Sequence, residues 1–124
     1  MARLLVVDDE VFIRKLYKAE FERDGYAVAT AADAGEALQL MDRIKPDLVI
    51  LDIELEDTCG LDLLNRLRQD YRNCAVILNT AYSTYKSDFQ SWLADAYIMK
   101  SSDLTQLRAK VRGLLAAESC EEYE

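Results

Sequence analysis

Lys45-Pro46-Asp47-Leu48-Val49-Ile50-Leu51-Asp52 is the stretch that decides the fold. Its four aliphatic residues, 48–51, carry no polar residue at alternate positions, which is the pattern of a strand covered on both faces, as in a parallel sheet. Lys45 and Pro46 close the helix ahead of it, because proline disfavours helical geometry in the residue before it. Asp52 then stands at the carboxyl end of the strand.

Residues 4–7 and 75–78 have the same all-aliphatic character, and 27–30 and 96–99 are weaker strands of the same kind. Helical periods fill the gaps. Phe12, Leu16, Ala19 and Phe21 form an apolar stripe after Val11, with Gly25 as the stop. Asp33 caps a second helix carrying Ala34, Ala37, Leu38, Met41 and Ile44. Leu61, Leu64 and Leu67 follow Gly60 as a third. The stretch 83–93, with Tyr85, Phe89 and Trp92 on its apolar side, is a less regular fourth. The fifth starts behind Ser102 and Asp103 and runs through Leu104, Leu107, Val111, Leu114 and Leu115. Five alternations of strand and helix predict an α/β fold, a doubly wound five-stranded parallel sheet in a three-layer α/β/α sandwich.

The chain has 124 residues, 51% of them hydrophobic, enough for one core and not for two. A single domain over 1–118 is expected, with 119–124 as an acidic tail or linker stub. The net charge of −8 argues against binding a nucleic-acid backbone, which needs clustered Lys and Arg. No apolar run approaches the roughly 18 residues of a membrane span, and the start turns acidic too early for a signal peptide, so the cytoplasm is the expected compartment. Cys59, Cys74 and Cys120 are odd in number and widely spaced, which suits ordinary thiols. There is no histidine, so any phosphoryl group handled here comes from a donor outside the chain.

Open α/β sheets carry their functional groups beyond the carboxyl ends of the strands. Asp8, Asp9 and Glu10 follow the first strand, Asp52 the third, Asn79 and Thr80 the fourth and Lys100 the fifth, while the second ends in Thr30 and Ala31. The flavodoxin-like strand order 2-1-3-4-5 makes the four polar ends contiguous and leaves the bland one at the edge. Converging carboxylates repel each other and recruit a cation; all-oxygen ligands favour a hard ion such as Mg²⁺. Lys100 and Thr80 supply donors for phosphoryl oxygens, which leaves Asp52 as the nucleophile.

Asp8-Asp9 after Leu-Leu-Val-Val, the stretch 45–52, Asn79-Thr80-Ala81-Tyr82 and Ala94-Asp95-Ala96-Tyr97-Ile98-Met99-Lys100 resemble, in order and spacing, the blocks of response-regulator receiver domains of two-component systems. Asp24-Gly25-Tyr26 leading to Gly35-Glu36-Ala37-Leu38 matches a weaker block, and the resemblance spans about 3–117. It implies that Asp52 is the phosphoacceptor and that Asp8, Asp9, Asp52 and the backbone carbonyl of Glu54 hold Mg²⁺. It implies that Thr80 is the hydroxyl that moves toward the phosphoryl group, Lys100 its ion-pair partner and Tyr97 an aromatic switch. The implied donor is a sensor histidine kinase or a histidine phosphotransfer protein, and the output is an unidentified downstream protein or effector domain. The resemblance also leaves room for a homodimer through the fourth and fifth helices. It implies a regulatory domain, like single-domain chemotaxis regulators, that assists only its own phosphorylation and dephosphorylation.

The chain departs from the family pattern at Ser101, where Pro is usual, at Glu56 and Cys59 in the loop after Asp52, and at Leu93, where Gly is common. These positions shape loops and leave the five chemical residues intact. Three rivals fit less well. A haloacid-dehalogenase-type phosphatase spaces its two first-strand acids two residues apart, a nucleotide-binding domain wants a Gly-rich loop where Asp-Asp-Glu stands, and a degenerate receiver would lack part of the acid, Thr and Lys set.

Overall fold

The computed structural model describes residues 2–55, 60–81 and 94–122. Its strands are β1 (Arg3–Val7), β2 (Ala27–Ala31), β3 (Leu48–Leu51), β4 (Ala75–Thr80) and β5 (Ala96–Met99). Its helices are α1 (Val11–Arg23), α2 (Ala34–Ile44), α3 (Gly60–Asp70) and α4 (Thr105–Glu122), the last being the fifth expected from the sequence. The helix expected over 83–93, with Tyr85, Phe89 and Trp92, lies outside the described residues, as do Glu56, Cys59, Tyr82 and Leu93.

The five strands pair in parallel in the order β2-β1-β3-β4-β5, the doubly wound, flavodoxin-like arrangement. Side chains alternate across a strand, and here the alternation divides the core in two. Leu4, Val6, Leu48, Ile50, Ala75, Ile77 and Ile98 pack with Tyr17 and Phe21 of α1 and Leu107 and Val111 of α4. Leu5, Val7, Val49, Leu51, Val76 and Leu78 face the other way, onto Ala37 and Met41 of α2 and Leu63, Leu64 and Leu67 of α3. All four residues of β3 are buried, as a central strand requires. Each fully buried Leu, Ile or Phe contributes roughly 1.5–3 kcal/mol of transfer free energy.

The helix ends follow local rules. Asp33 Oδ1 accepts the amide of Glu36 at 2.8 Å and so caps α2, which stops at Lys45 in the left-handed conformation (φ 48°). Asp24 and Gly25 (φ 101°) turn the chain out of α1. Asp103 caps α4, with Oδ1 taking the Thr105 amide at 2.9 Å, and Leu104 lies just ahead of the helix, buried. The helical backbone of α4 continues to Glu122, past the expected boundary at 118. An Arg108 fork accepted by both oxygens of Asp24, at 2.8 Å each, ties α4 to the end of α1.

One expectation needs correcting. The stripe on α1 is rotated from the predicted one: Tyr17 and Phe21 are buried with Ile13 and Leu16 beside them, whereas Phe12 is 73% exposed and Ala19 is also exposed. Positions 13, 17 and 21 share a face at i, i+4 spacing, and Phe12 falls about a quarter-turn off it. Among the described helices, none is long and apolar enough to cross a membrane.

Candidate functional site

Strand register sets out the site. Val7 pairs with Leu51, and Asp52 continues the ladder by donating its amide to the Val7 carbonyl at 2.9 Å, so Asp8 and Asp52 leave adjacent strands at the same level. Leu51 pairs with Leu78, and Thr80 with Met99, which brings Asn79 and Lys100 to the same rim. Asp8, Asp52, Asn79 and Lys100 all continue the alternation of the α1 and α4 face of the sheet, while Thr80 continues the opposite one.

The two aspartates are used alike. Asp8 Oδ1 accepts the amide of Glu10 at 2.9 Å, and Asp52 Oδ1 accepts the amide of Glu54 at 3.1 Å, each bond closing a turn within its own loop. The second oxygens converge on one ammonium: Lys100 Nζ is 2.8 Å from Asp8 Oδ2 and 3.0 Å from Asp52 Oδ2, with Glu10 Oε1 at 3.8 Å. Asp8 and Asp52 are 2% and 4% exposed, which makes these desolvated, charge-assisted contacts. The Arg14 guanidinium donates to the Asp8 carbonyl at 2.7 Å and secures the loop from outside.

Burial pushes the Asp52 carboxyl up to about 6, against the pull of the Lys100 hydrogen bond and charge, while the Asp8 charge adds to the rise and the Glu54 amide opposes it. Burial lowers the Lys100 ammonium, but its hydrogen bonds to Asp8 and Asp52 and their charges outweigh this and hold it above the ordinary lysine range. Asp52 is thus mostly ionised at neutral pH.

Asp8, Asp9 and Glu10 bring carboxylate oxygens within 4.8 Å of one another, grading from buried through half-buried to exposed. Three acids, Asp8, Glu10 and Asp52, lie within 4.0 Å of one ammonium, and Asp9 stands beside two of them. A pocket with only oxygen ligands and this excess of negative charge fits a hard divalent ion.

Thr80 is fully buried, and its carbonyl accepts the Lys100 amide at 2.8 Å. Tyr97 is half-buried, packed against the α2 and α3 side of the core, and burial raises its phenol. The structure therefore gathers Asp8, Asp52 and Lys100 by direct contact, with Asp9 and Glu54 on the adjoining loops and Thr80 one strand end away; Tyr97 stands apart from the acids.

One further residue, Tyr17, is not singled out by the sequence pattern, and it meets Asn79. The Tyr17 hydroxyl donates to Asn79 Oδ1 at 2.7 Å, and Asn79 Nδ2 donates to the Ile98 carbonyl at 3.1 Å. Burial raises the Tyr17 phenol to about 12, the charges of Lys100, Asp8 and Asp52 all reach it, and it remains a donor. The available signal is a tyrosine in the middle of a buried helix stripe, whose hydroxyl must find a partner.

Such a rim, with paired buried acids under a lysine, is a charged site at the carboxyl edge of a flavodoxin-like α/β domain. The family model for the response regulator receiver domain matches residues 4–112. The chain belongs to that family. It is similar to response regulator protein TrrA of Thermotoga maritima, solved in complex with Mg²⁺-BeF, at 45% identity and a TM-score of 0.88, covering 92% of this chain and 99% of the other. A structure of histidine kinase ThkA in complex with TrrA matches at 45% identity and a TM-score of 0.87, covering 93% of this chain and 99% of that one. The transcriptional regulatory protein TrcR of Mycobacterium tuberculosis is 34% identical over 119 residues, 94% of this chain and 46% of TrcR. The chain spans about half the length of this and other curated transcriptional regulators that it matches.

Proposed function

We propose that this chain is a phosphorylation-dependent signalling switch that takes a phosphoryl group onto Asp52 from the phosphohistidine of a partner kinase or phosphotransfer protein. The observation that carries this is the shared ammonium: a buried carboxylate with one oxygen on Lys100 and the other on its own loop is fixed in orientation, and three acids on one lysine, with Asp9 beside them, leave an excess of negative charge that suits a dication. Oδ2 of Asp52 attacks phosphorus, the P–N bond to the donor imidazole breaks, and the imidazole keeps the bond's electron pair and takes up a proton. Lys100 follows the charge onto the phosphoryl oxygens, and the Thr80 hydroxyl donates to another. Asp8, Asp9 and Asp52, with the Glu54 carbonyl, would hold Mg²⁺, which when bound offsets the charge of phosphate and acids together.

The similarity to TrrA, which has been solved both with Mg²⁺-BeF and with the kinase ThkA, supports the donor and the metal. Thr80 and Tyr97 read the new charge. The domain assists its own phosphorylation and its hydrolytic reset, in the cytoplasm, and passes the signal to a downstream protein or an effector domain. Acetyl phosphate with Mg²⁺ is expected to add one phosphoryl mass to the wild type and none to Asp52→Ala, as read by intact-protein mass spectrometry. Modification of the Asp52→Ala variant to the wild-type extent would refute the assignment.

A further inference from the structure

Tyr17 lies in the middle of the buried stripe of α1, 1% exposed, and its hydroxyl reaches Asn79 across 62 positions of sequence. A phenyl ring would fill the same core space, so the hydroxyl is the informative part. A buried hydroxyl needs a partner, and the one chosen joins three elements: α1 to Asn79 at the end of β4, and Asn79 to the Ile98 carbonyl of β5. Both bonds end beside phosphate-handling residues. Asn79 directly precedes Thr80, Ile98 is two positions before Lys100, and the Lys100 amide closes on the Thr80 carbonyl at 2.8 Å. β5 is an edge strand, held on one side only by its ladder to β4, so its end gains most from a second tether.

We propose that Tyr17 is a positioning residue whose hydroxyl, acting through Asn79, holds the ends of β4 and β5 in the register that presents Thr80 and Lys100 to the transferring phosphoryl group. This rests on the phosphotransfer function proposed above and adds a residue to it. Thr80 and Lys100 act on the phosphoryl oxygens, whereas Asp8 and Asp9 stand on the loop after β1. Loss of the tether therefore slows transfer and spares Mg²⁺ affinity.

The test uses the full chain as wild type, Tyr17→Phe, Asn79→Leu and the double variant. Transfer rate from acetyl phosphate is measured at saturating Mg²⁺, and the Mg²⁺ dissociation constant by calorimetry. Tyr17→Phe is expected to lower the maximal rate by roughly tenfold, in line with the cost of small misplacements of reacting groups. Its Mg²⁺ dissociation constant stays within about twofold of wild type, a margin too small to matter beside that rate loss. The double variant is no slower than the slower single variant, because both substitutions break one link. A wild-type rate in Tyr17→Phe, multiplying losses in the double variant, or a parallel loss of Mg²⁺ affinity overturns the proposal. The double variant has apolar groups at both positions, so neither side chain leaves the other unpaired and only the Ile98 carbonyl loses a donor; where Tyr17→Phe fails to fold, a wild-type rate in the double variant overturns the proposal equally. A wild type that gains no phosphoryl group sinks the underlying function, whereas normal transfer by wild type and Tyr17→Phe alike sinks only the positioning role.

Discussion

Asp52 works against the fold that holds it. Its folded-state pKa of about 6 lies above the ordinary value of 3.8, so between these two values the folded chain binds more protons than the unfolded one. Stability contributed by the protonated group is therefore present below pH 4, is lost as pH rises through 6, and stays lost above. Two units of pKa correspond to roughly 3 kcal/mol as an upper figure. In Mg²⁺-free solution Asp52→Asn is expected to be more stable than wild type at pH 7 by about 1–3 kcal/mol, with the difference shrinking toward pH 4. Urea unfolding at several pH values checks this, and a pH-independent difference would contradict it. At this scale the acids and Lys100 were legible because strand ends in an open α/β sheet point to one rim. The Tyr17–Asn79 bond was not, since nothing local in the sequence tells which strand end a helix hydroxyl will meet.

Among the elements, caps and stops were the most legible features, because they depend on a few adjacent residues. Asp33, Gly25 and Asp103 act as their types suggest. Lys45 ends α2 in a left-handed conformation that suits glycine better, with a Cβ cost of about 1–2 kcal/mol. Lys45→Gly removes that cost and adds some unfolded-state entropy, for an expected net gain of about 0.5–1 kcal/mol, measurable as a higher denaturation midpoint at unchanged slope. The face of α1 was less legible. Phe12 and Ala19 compete in the sequence with Ile13 and Tyr17 for the buried side that Phe21 shares, and the choice is made by the sheet that packs against them. Leu63 of α3 is likewise buried although the pattern centres on its neighbours Leu61, Leu64 and Leu67.

For the molecule as a whole, chemistry guided the strand order: of the two common doubly wound orders, 2-1-3-4-5 places the polar ends side by side, and that is the order found. With Mg²⁺ held by these acids as proposed, stability depends on the metal. A ligand that binds only the folded state at about 100 times its dissociation constant adds about 2.7 kcal/mol, so saturating Mg²⁺ is expected to raise Tm by roughly 10 °C. Chelation reverses the gain, and Asp8→Asn or Asp9→Asn abolishes most of it; calorimetric scans with and without Mg²⁺ check both. An equal rise in these variants would place the ion elsewhere.

The divided labour of the Asp52 oxygens has one more consequence. Oδ1 holds the Glu54 amide while Oδ2 faces the lysine, so one carboxyl group is a bell-crank between solvent chemistry and the backbone that follows β3. Forming the proposed acyl phosphate at Oδ2 would turn Oδ1 from half of an anion into a neutral carbonyl, and charge-assisted acceptors bind an amide about twice as strongly as neutral ones. The grip on residue 54 would then slacken as the new bond forms, with a single carboxyl group between the event and the segment that feels it.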